Sequence, residues 1–283
     1  MNKTALGTLF PLLLAAPGLA QVPYPGETLI SPLATTETFL IDMAGNVTKT
    51  WHGSSEPASI AYLLEDGSIV RPGRYPGGQF SSGGAGGRIQ WIDANDNLVW
   101  DFLFADSDHQ QHHDIEPLPN GNVLLIAWER KSNAEVVAAG RQSTSSEMWP
   151  TLIVEVEPVG STGGNIVWEW HLWDHIVQDV DPAKPNYGVV ADHPELIDIN
   201  FGPVGGGPFG SGDWIHANAI DYNADLDQIV FSSPRFSEIF VIDHSTTTVQ
   251  AAGHTGGNGG MGGDILYRWG NPQAYDRGSA SDR

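Results

Sequence analysis

Short runs in which apolar and polar residues alternate recur along the chain, separated by turns rich in Gly, Asn, Asp or Ser. Seven pairs of runs predict β-hairpins, at residues 39–51, 60–70, 88–100, 113–128, 152–168, 216–233 and 239–248, the last resuming at 264–269. Period-two alternation with such turns is typical of antiparallel strands. Four of the hairpins close on tryptophan, namely Trp51, Trp100, Trp168 and Trp269. The pattern predicts an all-β protein.

The hairpins also follow one another in a repeating order. A hairpin that ends in tryptophan is followed by a second hairpin three times, which predicts three complete four-stranded units and half of a fourth. Units repeating every ~40–50 residues are typical of a β-propeller, whereas an open β-sandwich has no internal period. We therefore predict a β-propeller of four-stranded blades, with about three and a half to four blades present. Because these blades do not close a ring, we expect the chain to be incomplete at its C-terminus or completed by another chain.

The N-terminal residues MNKTALGTLFPLLLAAPGLAQ predict a secretory signal over residues 1–20, with cleavage after Ala20. Their apolar run is too short, and too interrupted by Pro11 and Pro17, to span a membrane. We expect residues 21–283 to form one propeller domain that is secreted or periplasmic.

The amino-acid composition excludes several kinds of reactive site and partner. The chain has no cysteine, which removes disulfides, thiol nucleophiles and cysteine-based zinc sites. Its 34 acidic and 13 basic residues give a formal charge of −21, which repels nucleic acid and anionic membranes. A small-molecule partner is therefore expected, and an anionic one needs a local positive site.

Histidines stand at the same place in two successive units. His112 and His113 precede the strand with the PNGN turn, and His216 precedes the strand with the YNADLD turn. The first unit has Ser59 near this position, so the hairpin itself does not require histidine. Because the innermost strand of each propeller blade lines a central channel, these side chains can converge. Arg235 follows the next strand and offers a rigid cationic fork for sulfate, phosphate or carboxylate. A structural hydrogen bond or salt bridge is the alternative for each of them.

Other chemistries have weaker support. Three histidines can bind zinc, but no HxH or HExxH spacing occurs, and His112 and His113 should point to opposite faces of a strand. We therefore expect no metal. A serine hydrolase lacks its GxSxG turn, and the glycine-rich residues 256–264 follow no strand-to-helix switch that would make a phosphate loop. The insert over residues 171–213 carries three polar residues that we interpret as loop anchors: His171, Asp174 and His175.

Four stretches resemble the arylsulfotransferase family, the aryl-sulfate sulfotransferases. They are HHDIEPLPNGNVLL, IVWEWHLWDHIVQD with HPELIDIN after it, DWIHANAIDYNADLDQIVFSSPR, and GGDILYRWGNPQAY, and they extend over most of residues 38–278. The resemblance implies a six-bladed propeller that moves a sulfuryl group from a phenolic sulfate ester to another phenol. It implies no nucleotide sulfate donor, and we expect no cofactor.

The resemblance also implies roles for particular residues. The catalytic candidates are His113, His216 and Arg235. The substrate-binding candidates are His112, Asn218 of the H-x-N stretch, and Trp214. Which of His112 and His113 faces the channel stays open. The family's sulfate-accepting histidine belongs to a further strand start, which we expect beyond Arg283, and this leaves open whether the chain is active alone.

In the implied mechanism a histidine carries the sulfuryl group in a ping-pong cycle. Arg235 and protonated His216 stabilise the charge that spreads over the sulfuryl oxygens. A secreted propeller used only for binding is the alternative from another class, and a metal-dependent propeller hydrolase is a weaker third.

Overall fold

The described part of the chain, residues 24–142, 147–206, 211–279 and 281–282 of a computed structural model, is built mainly from short antiparallel strands. The predicted signal segment, residues 1–20, lies outside the described residues. Within those ranges, no helix has the length and apolar character needed to cross a bilayer. The predicted all-β class is confirmed.

The strands form one three-stranded sheet and three four-stranded sheets, each an antiparallel meander. The first sheet contains β1 (Thr28–Ile30), β2 (Glu37–Ile41) and β3 (Val47–His52). The second contains β4 (Tyr62–Leu63), β5 (Ile69–Arg74), β6 (Gly87–Ile92) and β7 (Leu98–Leu103). The third contains β8 (His109–Pro117), β9 (Val123–Glu129), β10 (Thr151–Val159) and β11 (Gly163–His171).

The third and fourth sheets are separated by an insert. The insert includes a 3-10 helix (Leu172–His175), the two parallel strands β12 (Ile176–Val177) and β13 (Ile197–Asp198), and a second 3-10 helix (Val190–Asp192). The fourth sheet contains β14 (Ala219–Asn223), β15 (Gln228–Ser233), β16 (Glu238–Asp243) and β17 (Tyr267–Trp269). Two short helices lie in connections, α1 (Asn133–Ala138) and α2 (Thr248–Ala251), and a last 3-10 helix covers Pro272–Tyr275.

Turn chemistry explains why the hairpins form where the sequence predicts them. In the PNGN turn Gly121 has φ +88°, a left-handed conformation that glycine adopts without steric cost. Its amide donates to the Leu118 carbonyl at 3.0 Å, and the Leu118 amide donates to the Asn122 carbonyl at 2.8 Å. Together these bonds close the β8–β9 hairpin.

The grouping of hairpins into sheets differs from the sequence prediction by one hairpin. Each tryptophan-closed hairpin was paired with the hairpin after it, whereas the structure pairs it with the hairpin before it: β4–β5 with β6–β7, β8–β9 with β10–β11, and β14–β15 with β16–β17. Local alternation predicts each hairpin but does not show which neighbouring hairpin it pairs with. The predicted grouping of hairpins was therefore wrong. Tryptophan therefore marks the last strand of a sheet.

The core lies between neighbouring sheets. All seven residues of β9 are buried, and alternate side chains enter two separate apolar clusters. Leu124 and Ile126 pack on one face, and Val123, Leu125 and Ala127 pack on the other. Since successive strand residues point to opposite faces, the third sheet is covered on both sides.

Tryptophans on the last strands tie the second sheet to the third and the third to the fourth. The Trp100 indole at β7 donates to the Gly163 carbonyl on β11 at 2.7 Å. The Trp168 indole on β11 donates to the Thr246 hydroxyl, beyond β16, at 3.1 Å. These buried indoles combine apolar area with one satisfied hydrogen bond.

The first strands of the three four-stranded sheets are joined by one carboxylate. Asp114 on β8 accepts from the Tyr62 hydroxyl on β4 at 2.8 Å and from the Ile220 amide on β14 at 3.0 Å. Asp114 is buried, and burial raises the pKa of its carboxyl group. His112 and His113 lie within β8, and His216 lies just before β14. The Asp114 bonds therefore hold the histidine-bearing segments close to one another.

His244 makes a second connection between sheets and predicts a pH-dependent stability. Its imidazole lies 3.0 Å from Glu155 of β10 and 2.7 Å from Asp227 of the β14–β15 turn. Burial lowers the pKa of His244, but these carboxylates outweigh burial and the net pKa is raised. Because the folded pKa exceeds the unfolded value, the stabilisation is complete below about pH 6.5 and is lost as pH rises through the folded pKa.

We therefore expect His244→Gln to lower the free energy of unfolding by about 1–3 kcal/mol near pH 6 and by less near pH 9. Urea unfolding at a series of pH values measures both. Equal pH slopes for the variant and the wild type would contradict this assignment.

Candidate functional site

Two of the sequence-selected histidines share an unusual backbone conformation. His113 has φ +52° and His216 has φ +53°, in the left-handed region that few non-glycine residues occupy. At His113 the conformation accompanies a register shift in the β8–β9 pairing between Gln111 and Ile115. Strain of this kind is concentrated at functional sites in proteins. It marks both histidines as constrained by their surroundings.

The bulge brings together side chains that a regular strand would separate. The Nδ1 atoms of His112 and His113 are 3.0 Å apart, so the expectation that they point to opposite faces was wrong. A bulge breaks the alternation because its extra residue has no partner in the facing strand. The His113 and His216 rings meet edge to face, with centroids 4.6 Å apart and an interplanar angle of 82°. The three imidazoles form one cluster.

Asp213 orients His216. Its Oδ2 lies 2.5 Å from the Nδ1 of His216 and also accepts from the Ser82 hydroxyl at 2.6 Å. The Asp213 side chain is completely buried, so its charge acts on the imidazole with little screening by water. This carboxylate holds a proton on Nδ1 of His216. The other ring nitrogen, Nε2, is then the one available for reaction.

Neither Asp213 nor Ser82 is identified by the sequence. Asp213 is one of 34 acidic residues in the chain, and its position three residues before His216 matches no motif. Ser82 reaches it from a loop 131 residues away. Only the folded chain brings them together.

The imidazoles of His112 and His113 are held in their neutral form. Burial, followed by the neighbouring His113 and His216, places the pKa of His112 well below its usual value. Burial and His216 lower the pKa of His113 to about 4, while Asp213 acts in the opposite direction. Near pH 7 His113 is therefore a neutral imidazole, able to accept a proton or donate a lone pair.

Arg235 lies at the edge of this cluster. Its Nη2 donates to the carbonyls of Pro203 at 2.8 Å and Gly205 at 3.0 Å, which fix the guanidinium. Burial lowers the pKa of Arg235, and the charge of Asp213 partly opposes that effect. Arg235 is thus within electrostatic range of the carboxylate that holds His216.

The three candidates for substrate contact are placed differently. The His112 ring is fully buried and stacks on Trp128, with centroids 4.0 Å apart, and its Nε2 has no hydrogen-bond partner within the described ranges. Asn218 is exposed at the start of β14 and accepts from the Ser232 hydroxyl at 2.9 Å. Trp214 is completely buried, its ring packs edge to face on Phe236, and its indole donates to a backbone carbonyl. Trp214 therefore has a core environment with no ring face open to a ligand.

A cavity of about 1090 Å³ lies beside a loop that contacts the cluster. The loop of residues 82–85 lines it, and Arg74, Tyr75 and Arg88 lie around it. The same loop touches the histidines, because the His113 amide donates to the Gly84 carbonyl at 2.7 Å. Ser59, the residue that replaces histidine in the first unit, donates to the His113 carbonyl. The loop thus lies between the cluster and a space large enough for a small aromatic molecule, and none of the three imidazoles lines that space.

Comparison with known proteins agrees with the resemblance seen in the sequence. The family model described as arylsulfotransferase (ASST) matches residues 34–252. No curated protein matches the chain.

Solved structures show more distant similarity. A protein of unknown function from Bacteroides caccae is 12% identical, with a TM-score of 0.40, over 78% of this chain and 55% of that one. Hydrazine synthase of Kuenenia stuttgartiensis is 9% identical, with a TM-score of 0.45, over 87% of this chain and 59% of that one. The chain therefore spans less than two thirds of the length of either structure. Because the family model covers most of the sequence, from the first sheet into the fourth, the chain belongs to the arylsulfotransferase family.

Proposed function

We propose that this protein is an aryl-sulfate sulfotransferase that transfers a sulfuryl group from a phenolic sulfate ester to a phenolic acceptor. Membership of the family supports a sulfotransferase at the level of reaction class. The observation that carries the assignment to a site is the contact of His113 with His216, which is held by Asp213. Arg235 supplies the permanent positive charge nearby.

The charges suit a sulfate monoester. During transfer, negative charge builds on the sulfuryl oxygens and on the leaving phenol oxygen, much as in phosphoryl transfer. Arg235 and an imidazolium at His216 stabilise the sulfuryl oxygens, and Asp213 balances the imidazolium. In a protein with a formal charge of −21, this local positive charge is what admits an anion.

His113 has a separate role because it is neutral. With a pKa of about 4 it does not compete with Arg235 for the sulfate charge, and it can accept the proton of the attacking phenol. His112 supports it through the contact between their Nδ1 atoms. His216 is thus proposed to bind the sulfuryl oxygens and His113 to exchange the proton.

The proposed cycle has two displacements. In the first, a bond forms between sulfur and a histidine nitrogen while the bond from sulfur to the aryl oxygen breaks, and the phenolate leaves. In the second, a phenol oxygen attacks sulfur, the sulfur–nitrogen bond breaks, and the phenol proton passes to a base such as His113. Asn218 and the cavity beside residues 82–85 are the proposed contacts for the aromatic part of the substrate.

The architecture proposed to support this chemistry is a β-propeller whose four-stranded sheets are blades. The bridge from Asp114 to β4 and β14 supports it, because it places the first strands of three sheets side by side as inner strands of blades would be. We also propose that the protein is exported, to a secreted or periplasmic location, on the basis of the predicted signal over residues 1–20.

The direct test is an assay of the purified full-length protein with p-nitrophenyl sulfate and a phenol acceptor. We expect acceptor-dependent release of nitrophenolate together with formation of the aryl sulfate of the acceptor. Absence of both products would overturn the proposed function. Mass spectrometry after exposure to the donor alone tests the ping-pong route, since it predicts a protein carrying one SO₃, and peptide mapping identifies the histidine that carries it.

A glycine beside the cluster provides a test of the His113 position. A Cβ on Gly84 would lie 2.3 Å from the His113 ring, so Gly84→Ala must displace the imidazole. We expect the rate to fall about 10²-fold, the effect of a displacement of roughly 1 Å in a catalytic group. Initial rates with p-nitrophenyl sulfate measure it.

Two glycines supply matched controls for that variant. Gly26→Ala places a Cβ where nothing lies within 4 Å, and Gly45→Ala adds the same backbone strain at φ +84° without a clash. Both should keep the wild-type rate. A Gly84→Ala protein as active as these controls would show that the position of His113 does not matter.

A further inference from the structure

A second histidine cluster lies outside the proposed catalytic site. His175 ends the first 3-10 helix, His254 follows α2, and Asp264 precedes β17. Their side-chain donor atoms all lie within 4.8 Å of one another. The Nδ1 atoms of both histidines are 2.8 Å from the same oxygen, Oδ1 of Asp264. A histidine from the insert after β11 thus converges with both ends of the loop between residues 254 and 264.

The hydrogen bonds of His175 direct its Nδ1 at this oxygen of Asp264. Its Nε2 lies 2.8 Å from the Ala251 carbonyl, which only accepts, so Nε2 carries a proton. In a neutral ring Nδ1 then presents a lone pair, and it faces the carboxylate oxygen of Asp264. Two lone pairs at this distance need a proton or a cation between them. His254 directs a second imidazole nitrogen at the same oxygen.

The surroundings resemble those of a metal ligand. A histidine that binds a metal usually donates its other ring N–H to a carbonyl or carboxylate, as His175 does to Ala251. The His175 ring is fully buried and lies parallel to Trp170, with centroids 5.6 Å apart and an angle of 5°. Its orientation is therefore fixed before any ion binds.

The glycine-rich loop between His254 and Asp264 closes the cluster. A Cβ at Gly263 would lie 1.9 Å from the Ala251 carbonyl oxygen and 2.6 Å from His175 Nε2, so only glycine lets the loop approach this closely. The Gly263 carbonyl accepts from the Trp170 indole at 2.7 Å. The glycine-rich residues 256–264, which the sequence does not identify as a phosphate loop, thus serve to place Asp264 beside His175.

We propose that His175, His254 and Asp264 bind a divalent transition-metal ion of the zinc class. Imidazole and carboxylate donors together suit zinc, whereas calcium and magnesium prefer oxygen ligands alone. Tetrahedral bonds of about 2.0–2.1 Å place donors roughly 3.3 Å apart, so the atoms separate by about half an ångström on binding. The His254 side chain is 60% exposed, which leaves the fourth position to water. The ion links the insert after β11 to the loop before β17.

The test measures zinc binding to the full chain, independently of sulfuryl transfer. After treatment with a chelator, we expect the wild type to bind one Zn²⁺ tightly in calorimetry and to retain it after dialysis. Loss of a group that only supports a ligand typically weakens metal binding about 10–100-fold, so His254→Gln, which removes a ligand, should weaken it by at least about 100-fold. Zn²⁺ should raise the Tm of the wild type and not of this variant.

His52→Gln is the matched control. The His52 side chain is 57% exposed and its Nδ1 lies 2.6 Å from Asp96, as the Nδ1 of His254 lies near Asp264. The third group, Glu37, approaches the other ring nitrogen of His52, at 3.9 Å. Its zinc affinity should equal that of the wild type. Because His254 is on the surface, the variant tests the site without disturbing the core. Equal zinc affinity for wild type and His254→Gln, or no tight binding by the wild type, would overturn the proposal and leave the cluster as a protonated histidine–carboxylate network.

Discussion

His216→Gln is expected to lower the rate of sulfuryl transfer about 10²–10³-fold, the cost of removing one preorganised group that stabilises transition-state charge. Glutamine keeps a polar side chain of similar length but carries no positive charge to place beside the sulfuryl oxygens. The measurement is the initial rate of nitrophenolate release from p-nitrophenyl sulfate at saturating acceptor. We expect the loss mainly in kcat, because the charge develops as the bond breaks.

Two further variants decide whether the cluster acts as a unit. Asp213→Asn keeps the shape of the side chain but removes the charge that balances an imidazolium at His216, so it should also lower the rate. His109 is the first residue of β8 and pairs with Asp106 rather than with the histidine cluster. His109→Gln should therefore keep the wild-type rate. If His216→Gln and His109→Gln are equally active, His216 has no part in the reaction.

Arg268→Met is expected to lower the free energy of unfolding by about 3–5 kcal/mol, the cost of leaving a buried partner charge uncompensated. Arg268 on β17 makes a two-pronged ion pair with Glu238 on β16, at 2.9 and 2.5 Å. The two side chains are only 5% and 0% exposed. Methionine preserves much of the apolar packing of the arginine stem, so the loss reports the ion pair together with the bonds from Nη1 to the Pro194 and Leu196 carbonyls. Urea unfolding near pH 7 measures it.

The pH dependence and a pair of controls identify the cause. Burial raises the pKa of Glu238 and Arg268 opposes that effect, so without Arg268 the carboxyl binds a proton more readily and the destabilisation shrinks at acid pH. The double variant Glu238→Leu, Arg268→Met should recover most of the stability. Arg277→Ala removes an exposed arginine 4.0 Å from Asp192 and should cost less than about 1 kcal/mol. A loss for Arg268→Met no greater than that for Arg277→Ala would contradict the argument.

Much of the fold follows from local pattern. The PNGN turn predicts the β8–β9 hairpin because its glycine must adopt positive φ, and the alternating residues around it can bury one face. The order in which hairpins join into sheets does not follow from this pattern. Trp100 lies at the end of a hairpin in either grouping. Its hydrogen bond to Gly163 on the next sheet shows that β7 is the last strand of its own sheet.

Some features of the candidate site can likewise be predicted from the sequence, and others depend on the fold. His113 and His216 stand out because they recur at equivalent strand starts, and Arg235 because it follows the next strand. Their convergence depends on the bulge at His113, which regular strand geometry does not predict. The same limit applies to the cluster of His175, His254 and Asp264, whose spacing matches no metal motif.

The sequence by itself determined the all-β class, the hairpins, the family and the identity of the histidines and arginine offered for chemistry. Each of these depends on neighbours within a few residues, where alternation, turn residues and motif letters can be read directly. The tertiary structure decided which hairpins share a sheet, that Asp213 and Ser82 hold His216, and that Trp214 packs in the core. Those outcomes depend on contacts between segments far apart in the chain, and many such pairings are compatible with the same local pattern.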